Sequence, residues 1–510
     1  MELELKRETR EGYVPCGEYV LSREETAETI VPDYCPDAER IVDSGGAVFV
    51  ESWEVRDGRS EVRGTIRVHV LYLPDGERSV RSLEFTMPFA AEGDGPEAED
   101  GLVLWAEAEA EFLETRLLNP RKLLARCKLA IRLTAWRRAP LVYAADVENA
   151  EQFSLEKRRE RRRAVVLAEA AESAFTFSDE LELSPGRPGA AELLSWRVTP
   201  SVTEAKILGN KLLAKGLVTV SLLYLTEEDG CRSAAGELPF SQVLELPAEQ
   251  EGARASVQLQ VTGEDVQISG GDPEGRLISV TLYLRALGLV RREEELDLLA
   301  DLYSTSYDVS CQCVPLDLDA RHDRQVLRTQ VRELLEIGVE ADTVLSISAL
   351  CGPVTVSREG ERADLRTAVT VRALYLDSDG VPLAAERRIE AGSTLDLPEG
   401  GQLSVRAACP EEVQGSLGER GIEVRFPVEF QTEIHVPYQA LCVSSVSVDR
   451  ETAREGGPSL VLRRVGQSET AWDIAKAYRT TIRELYAANQ IPEDGDLPRE
   501  ELLLIPRRRA

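Results

Sequence analysis

Two cysteines one residue apart, Cys311 and Cys313, are the first residues in this chain whose spacing suggests chemistry. A C-x-C pair can offer two thiolates to zinc, but a tetrahedral zinc site needs four convergent ligands, usually supplied as two pairs. No second pair lies near it in the sequence, and the only histidines, His69, His322 and His435, are far apart. The reading is therefore no metal and no cofactor. A Cys-His hydrolase needs its nucleophile and base brought together, and a glycosidase needs two placed carboxylates. The histidines fall in no catalytic motif, and none singles out a pair among the 90 acidic residues. The expectation is a protein that is not an enzyme.

Composition narrows the partners. The 510 residues carry 60 Lys and Arg against 90 Asp and Glu, a formal net charge of -30. Such a field repels polyanions, which argues against nucleic acid and anionic membrane surfaces as partners. The basic run KRRERRR at 157–163 reads either as an anion-docking site or, more readily, as a solvated linker or an exposed strand face. The first residues, MELELKRETREGYVP, contain no apolar segment of a secretory signal. No stretch approaches the roughly 18 continuous apolar residues of a membrane span, so no direct membrane insertion is expected. Nine cysteines, an odd and sparse number, fit a reducing compartment. These features together point to the cytoplasm.

The elements that must hold any site come as a repeat. VRGTIRVHVLYLPDG from Val62, AKGLVTVSLLYLTEEDG from Ala214 and LRTAVTVRALYLDSDG from Leu365 align on Tyr72, Tyr224 and Tyr375, which are 152 and 151 residues apart. Each copy alternates with period two, as a strand with one buried face does. Val62, Gly64, Ile66, Val68, Val70 and Tyr72 share the inner face. Arg63, Arg67 and His69 fall on the other, so His69 reads as a solvated strand residue rather than a ligand. An Asp-Gly hairpin turn follows in each copy, at Asp75-Gly76, Asp229-Gly230 and Asp379-Gly380, and then a return strand. Prolines 32 and 36, and 185 and 188, mark an extended entry with a turn or short helix before copies one and two; copy three, from Glu336, diverges there. Many short strands with Gly and Pro turns favour mainly β repeats, each a sandwich or an open barrel. The expected divisions are 1–150, 164–293 and 300–447, a linker at 448–458, and a separate module at 459–510.

In that last segment the period changes to strand, helix, helix, strand. Thr470 can cap a first helix with Ala471, Ile474, Ala475 and Tyr478 in its apolar stripe, and Thr480-Thr481 opens a second with Ile482, Leu485 and Tyr486 inside. Leu502 to Ile505 closes the module before Pro506. Ser468 to Ala475, Thr480 to Asn489 and Leu503 to Pro506 follow, in order, the motifs of the LysM family, and the segment resembles a small α+β LysM domain (β-α-α-β). The resemblance implies a binding groove lined by Ser468, Glu469, Thr470, Ala471 and Trp472 and by Asn489, Gln490 and Ile491. Ser468-Glu469 stands where the family has Gly-Asp, and Ala471 where it has Leu. Trp472, at the edge of the helix stripe, reads either as an exposed anchor or as ordinary packing. Asn489 reads more readily as a helix-end residue than as a ligand contact.

Tandem repeats with the IVPDYCPD entry and the V-x-x-LYL strand, DLYSTSYDV at Asp301 to Val309, and the LysM-like ending together resemble SipL-type spore coat morphogenetic proteins. That resemblance implies a non-catalytic adaptor in the mother-cell cytosol of spore-forming Firmicutes, at the forespore surface. Its LysM domain would bind a SpoIVA-like coat morphogenetic ATPase and its repeats other coat proteins. The alternative is a cell-wall protein whose LysM domain binds N-acetylglucosamine polymers of peptidoglycan.

Overall fold

Period-two alternation is realised almost everywhere: the computed structural model is built from long antiparallel strands and has two short helices. It describes all residues except 78, 229, 411, 412, 419, 450–459, 467, 493, 494, 496, 498–501 and 507–510. Asp229 of the second expected turn, and 450–458 of the expected linker, lie outside the described residues.

The first unit comprises β1 (Leu5–Arg10), β2 (Tyr13–Ile30), β3 (Ala38–Arg56), β4 (Arg59–Pro74), β5 (Arg81–Asp94), β6 (Val103–Asn119), β7 (Lys122–Arg138) and β8 (Leu141–Val147). The second comprises β9 (Leu155–Glu182), β10 (Glu192–Leu208), β11 (Lys211–Leu225), β12 (Cys231–Glu245), β13 (Arg254–Ile268) and β14 (Leu277–Ser304). The third comprises β15 (Asp308–Glu336), β16 (Ala341–Glu359), β17 (Arg362–Asp377), β18 (Pro382–Asp396), β19 (Gln402–Ala408), β20 (Gln414–Gly418) and β21 (Gly421–Asp449).

All three units share one topology. A three-stranded meander, β3-β4-β5, β10-β11-β12 or β16-β17-β18, packs on strands ordered β2-β7-β6, β9-β14-β13 or β15-β21-β19, the first two sets joining through Tyr13 and Leu167 into one six-stranded sheet. Each unit is thus a sandwich, not a barrel. The repeated strand is the middle of the meander, and its inner face fills the sandwich: Val62, Ile66, Val68, Val70 and Tyr72 have no exposed surface. Val218, Val220 and Tyr224, and Val369, Val371 and Ala373, are equally buried at the matching positions. The tyrosine hydroxyls of the first two units donate to the carbonyls of Pro36 and Pro188, tying the proline-marked entry to the core strand. Gly76 and Gly380 take the positive φ that their turns require.

From Arg67 onward the outer face of the same strand is covered, which corrects the expectation for His69. Leu71, Leu223 and Leu374, one residue before each tyrosine, meet in a single apolar core with Leu73, Leu194, Leu225 and Leu345. The units therefore close on one another around a pseudo-threefold axis, β5 and β4 meeting β10, β12 meeting β16 and β18 meeting β3. His69 lies half-buried in this contact, its pKa pushed down to about 4 by burial and by the neighbouring Arg67 and Arg197. Arg67 is buried too, paired with Glu264 of the second unit and 4.8 Å from the ring centre of Trp196. Periodicity within one strand cannot reveal a face that is covered by another repeat.

A second shared core lies at the far ends of the long strands. Leu3, Tyr143, Leu155, Leu296, Leu302, Leu318 and Val446 come from all three units. Residues 1–3 pair with the end of β21, through Leu3 N to Val446 O at 2.9 Å and Val448 N to Met1 O at 2.8 Å. The basic run at 157–163 lies in β9 as an exposed strand face, with Lys157 and Arg159 on Asp146, Arg158 and Arg162 on Glu160, and Arg163 on Glu295.

Candidate functional site

The C-terminal module consists of β22 (Leu460–Arg464), α1 (Ala471–Tyr478), α2 (Ile482–Asn489) and β23 (Leu502–Pro506), the two strands pairing antiparallel. Both helices are eight residues long, too short to persist alone in water, and each is fixed by a reciprocal cap. Thr470 Oγ1 accepts from Asp473 N at 3.2 Å while Thr470 N donates to Asp473 Oδ2 at 3.0 Å. Thr481 and Glu484 repeat the arrangement at α2. The acidic residue at each helix start also complements the positive end of the helix dipole, and the Asp473 carboxyl is held below its usual range by its bonds to Thr470. Val465, Ile474, Leu485, Leu503 and Ile505 form the module's core.

Several of the residues expected to line a groove are engaged by the module itself. Glu469 accepts from Gly466 N at 2.9 Å and pairs with Arg463. Asn489 donates to Leu485 O at 2.7 Å and to Leu504 O at 2.6 Å, and accepts from Leu504 N at 2.7 Å, so its amide locks α2 to the closing strand. Ala471 and Ile491 are half-buried against the module core. Ser468 and Gln490 are exposed, Gln490 in the left-handed conformation that ends α2, while Thr470, also exposed, is taken up by the cap of α1.

Trp472 is 8% exposed, but it lies outside the module's own core. Its ring meets Tyr303 edge-on at 4.9 Å, and its Nε1 donates to Asp301 Oδ2 at 2.8 Å. Ala475 and Ile482 complete this contact. Tyr303 donates its hydroxyl to Thr480 O at 2.7 Å, Lys476 Nζ lies 2.6 Å from Asp301 Oδ1, and Arg479 pairs with Asp308. The first helix of the module is thus docked on the end of β14 and the start of β15, within the segment DLYSTSYDV. Burial holds the Tyr303 phenol well above its usual pKa, so it stays a hydrogen-bond donor. Spacing alone does not mark Asp301, Tyr303 and Asp308 as contact residues. The available signal was Asp301 and Tyr303 alternating on one strand face.

Two segments match the SPOCS domain of SipL. They are residues 37–118 and 190–269. The first SPOCS match spans β3 to β6 and the second spans β10 to β13, equivalent parts of units one and two. The topologically equivalent part of unit three lies outside both matched segments. No curated protein matches the chain. One solved structure, the ferric yersiniabactin uptake receptor FyuA from Yersinia pestis, aligns over 85% of this chain and 81% of its own at 11% identity, with a TM-score of 0.11 that carries no argument. Among the described residues no helix is long and apolar enough to cross a membrane.

Proposed function

We propose that this protein is a non-catalytic scaffold of spore coat assembly whose C-terminal LysM-like module binds a SpoIVA-like coat morphogenetic ATPase, while the repeat units hold other coat proteins at the forespore surface. The observation that carries this reading is the pair of SPOCS-domain matches in two units of identical topology. The strand-helix-helix-strand module supports its second half. The polar groups along its groove favour a protein partner over a glycan. A sugar-binding groove needs free donors and acceptors, whereas the side chains of Glu469 and Asn489 are engaged inside the module. Three units packed on one another offer several faces for simultaneous partners. The histidines are consistent with a structural part: His322 lies 3.9 Å from Glu433 and His435 lies 3.5 Å from Asp319 across the β15–β21 ladder.

The test is binding of the full chain, side by side, to the organism's SpoIVA-like ATPase and to purified peptidoglycan. Saturable binding to the ATPase, weakened by substitutions at Ser468 and Gln490, is expected. Binding to peptidoglycan alone would replace this reading with that of a cell-wall protein.

A further inference from the structure

Among the described residues one cluster gathers metal-ligand chemistry, and it adjoins the docking contact. Cys311 and Cys313 occupy positions i and i+2 of β15 and so share a strand face, with their sulfurs 3.9 Å apart. The chain reverses between β14 and β15, and this brings the Asp301 carboxylate to the same spot, so that one oxygen and both sulfurs lie within 4.8 Å of one another. Sequence spacing suggested no further ligand for the C-x-C pair; the third one comes from the preceding strand.

We propose that Asp301, Cys311 and Cys313 bind a thiophilic divalent cation of the zinc class, in competition with the docked module for the Asp301 carboxylate. Two thiolates on a tetrahedral zinc at about 2.3 Å stand roughly 3.8 Å apart, so the sulfur spacing suits the ion without moving the strand. Hard cations such as magnesium and calcium prefer all-oxygen sites, and the two sulfurs select against them. Cys313 is exposed, which gives the ion a path in and leaves its fourth position to water. Binding releases the two thiol protons to solvent.

Competition follows from shared atoms. Both Asp301 oxygens already face the Lys476 ammonium, at 2.6 and 2.7 Å, and Oδ2 also accepts from Trp472. A dication ligated there sets a second positive charge beside Lys476 and takes the lone pair that holds the indole. Metal binding and docking of α1 must then weaken each other to the same degree. The consequence for recruitment, release of the Trp472 edge of the module, rests on the function proposed above; the metal site itself does not.

The experiment is titration of the reduced full chain with Co2+, read by the thiolate-to-cobalt absorption in the near ultraviolet and reversed by Zn2+. Cys351 and Cys409, with sulfurs 3.3 Å apart, are the competing pair. Wild type and Cys351→Ser/Cys409→Ser are expected to bind one Co2+ with this band, and Cys311→Ser/Cys313→Ser to lose it. Persistence of the band in the latter variant, or its loss in the former, overturns the site. Asp301→Asn should weaken binding by roughly tenfold or more, and unchanged affinity would remove Asp301 from the ligand set. Lys476→Ala, at an exposed residue, should tighten binding about fivefold or more; no change would sink the competition. Every readout is independent of the ATPase, so failure of the functional reading leaves this test intact.

Discussion

Trp472 does its work across a boundary rather than inside its own module. Its ring meets Tyr303 edge-on, and the module's core is complete without it. Trp472→Ala should therefore cost the docking contact about 2 kcal/mol or more while leaving the module folded. Hydrogen exchange distinguishes the cases. Peptides over 301–308 and 471–480 should lose protection while 485–491 and 502–506 keep theirs; a loss over all four would make Trp472 a core residue. Asn489 is the converse, a residue expected to line a groove but whose side chain serves the fold. Asn489→Ala removes the side-chain partners of Leu504 N and Leu504 O and one partner of Leu485 O, and should lower module stability by about 2 to 3 kcal/mol, seen as faster exchange over 502–506. The module was readable from sequence because caps and stripes are local: Thr470 and Ile474 fall where spacing places them. The roles of Trp472 and Asn489 depend on Tyr303 and Leu504, which pattern alone does not bring near.

At the scale of the strand, the units differ where the meander is tightest. A Cβ on Gly64 would lie 2.1 Å from Phe49 O and 2.7 Å from the Phe89 ring, and one on Gly216 would lie 2.0 Å from Ser201 O and 2.5 Å from Phe240. Each glycine is paired across the ladder with that phenylalanine. In the third unit the equivalent pair is Thr367 and Ala391, and the ladder beside it skips between Cys351 and Val354, where Thr367 Oγ1 donates to Gly352 O at 2.8 Å. Small-over-large has become medium-over-small, with a backbone irregularity that makes room. Gly64→Ala and Gly216→Ala should each cost about 2 to 4 kcal/mol, whereas Thr367→Ala should cost about 1, as denaturant melts would show. The repeated strand and its inner face were legible from alternation; the compensating change in copy three was not, since its members are 24 residues apart in sequence.

His69 belongs to the same scale, because its strand presents a second face to the neighbouring unit. Held neutral by burial and by Arg67 and Arg197, it keeps a folded pKa of about 4 against an ordinary 6.5. The unfolded chain takes up a proton that the native state refuses. Stability is therefore full above pH 6.5 and falls as pH drops toward 4, by up to about 3 kcal/mol from this residue. His322, beside Arg291 and near His435, is shifted in the same direction. Urea unfolding at pH 7 and pH 5 should show a smaller pH loss in His69→Gln than in wild type; equal losses would mean His69 protonates freely in the folded protein.

At the scale of the whole molecule, three similar units need not behave as beads on a string. The order of repeats was legible because Tyr72, Tyr224 and Tyr375 keep one spacing, but spacing cannot tell an open array from a closed ring. Closure depends on side chains that periodicity assigns to solvent. Arg372 of the third unit donates to Asp43 Oδ1 at 2.9 Å and Ser44 O at 2.8 Å of the first, and Arg40 of the first reaches Pro382 O of the third at 2.8 Å. Burial raises the Asp43 carboxyl while Arg372 works against that rise, as expected of an ion pair withdrawn from water. Leu71, Leu223 and Leu374 are each at most 2% exposed because the other two units cover them. Truncating any one to Ala should cost about 2 to 5 kcal/mol. In separate domains such losses add; in one shared core Leu71→Ala and Leu374→Ala, 303 positions apart in sequence, should couple by roughly 0.5 kcal/mol or more. Calorimetry of the two single variants and the double variant decides between these. One transition for the three units, shifted as a whole with non-additive losses, is expected of the ring; separate transitions, or strict additivity, would mean that the units stabilise themselves alone.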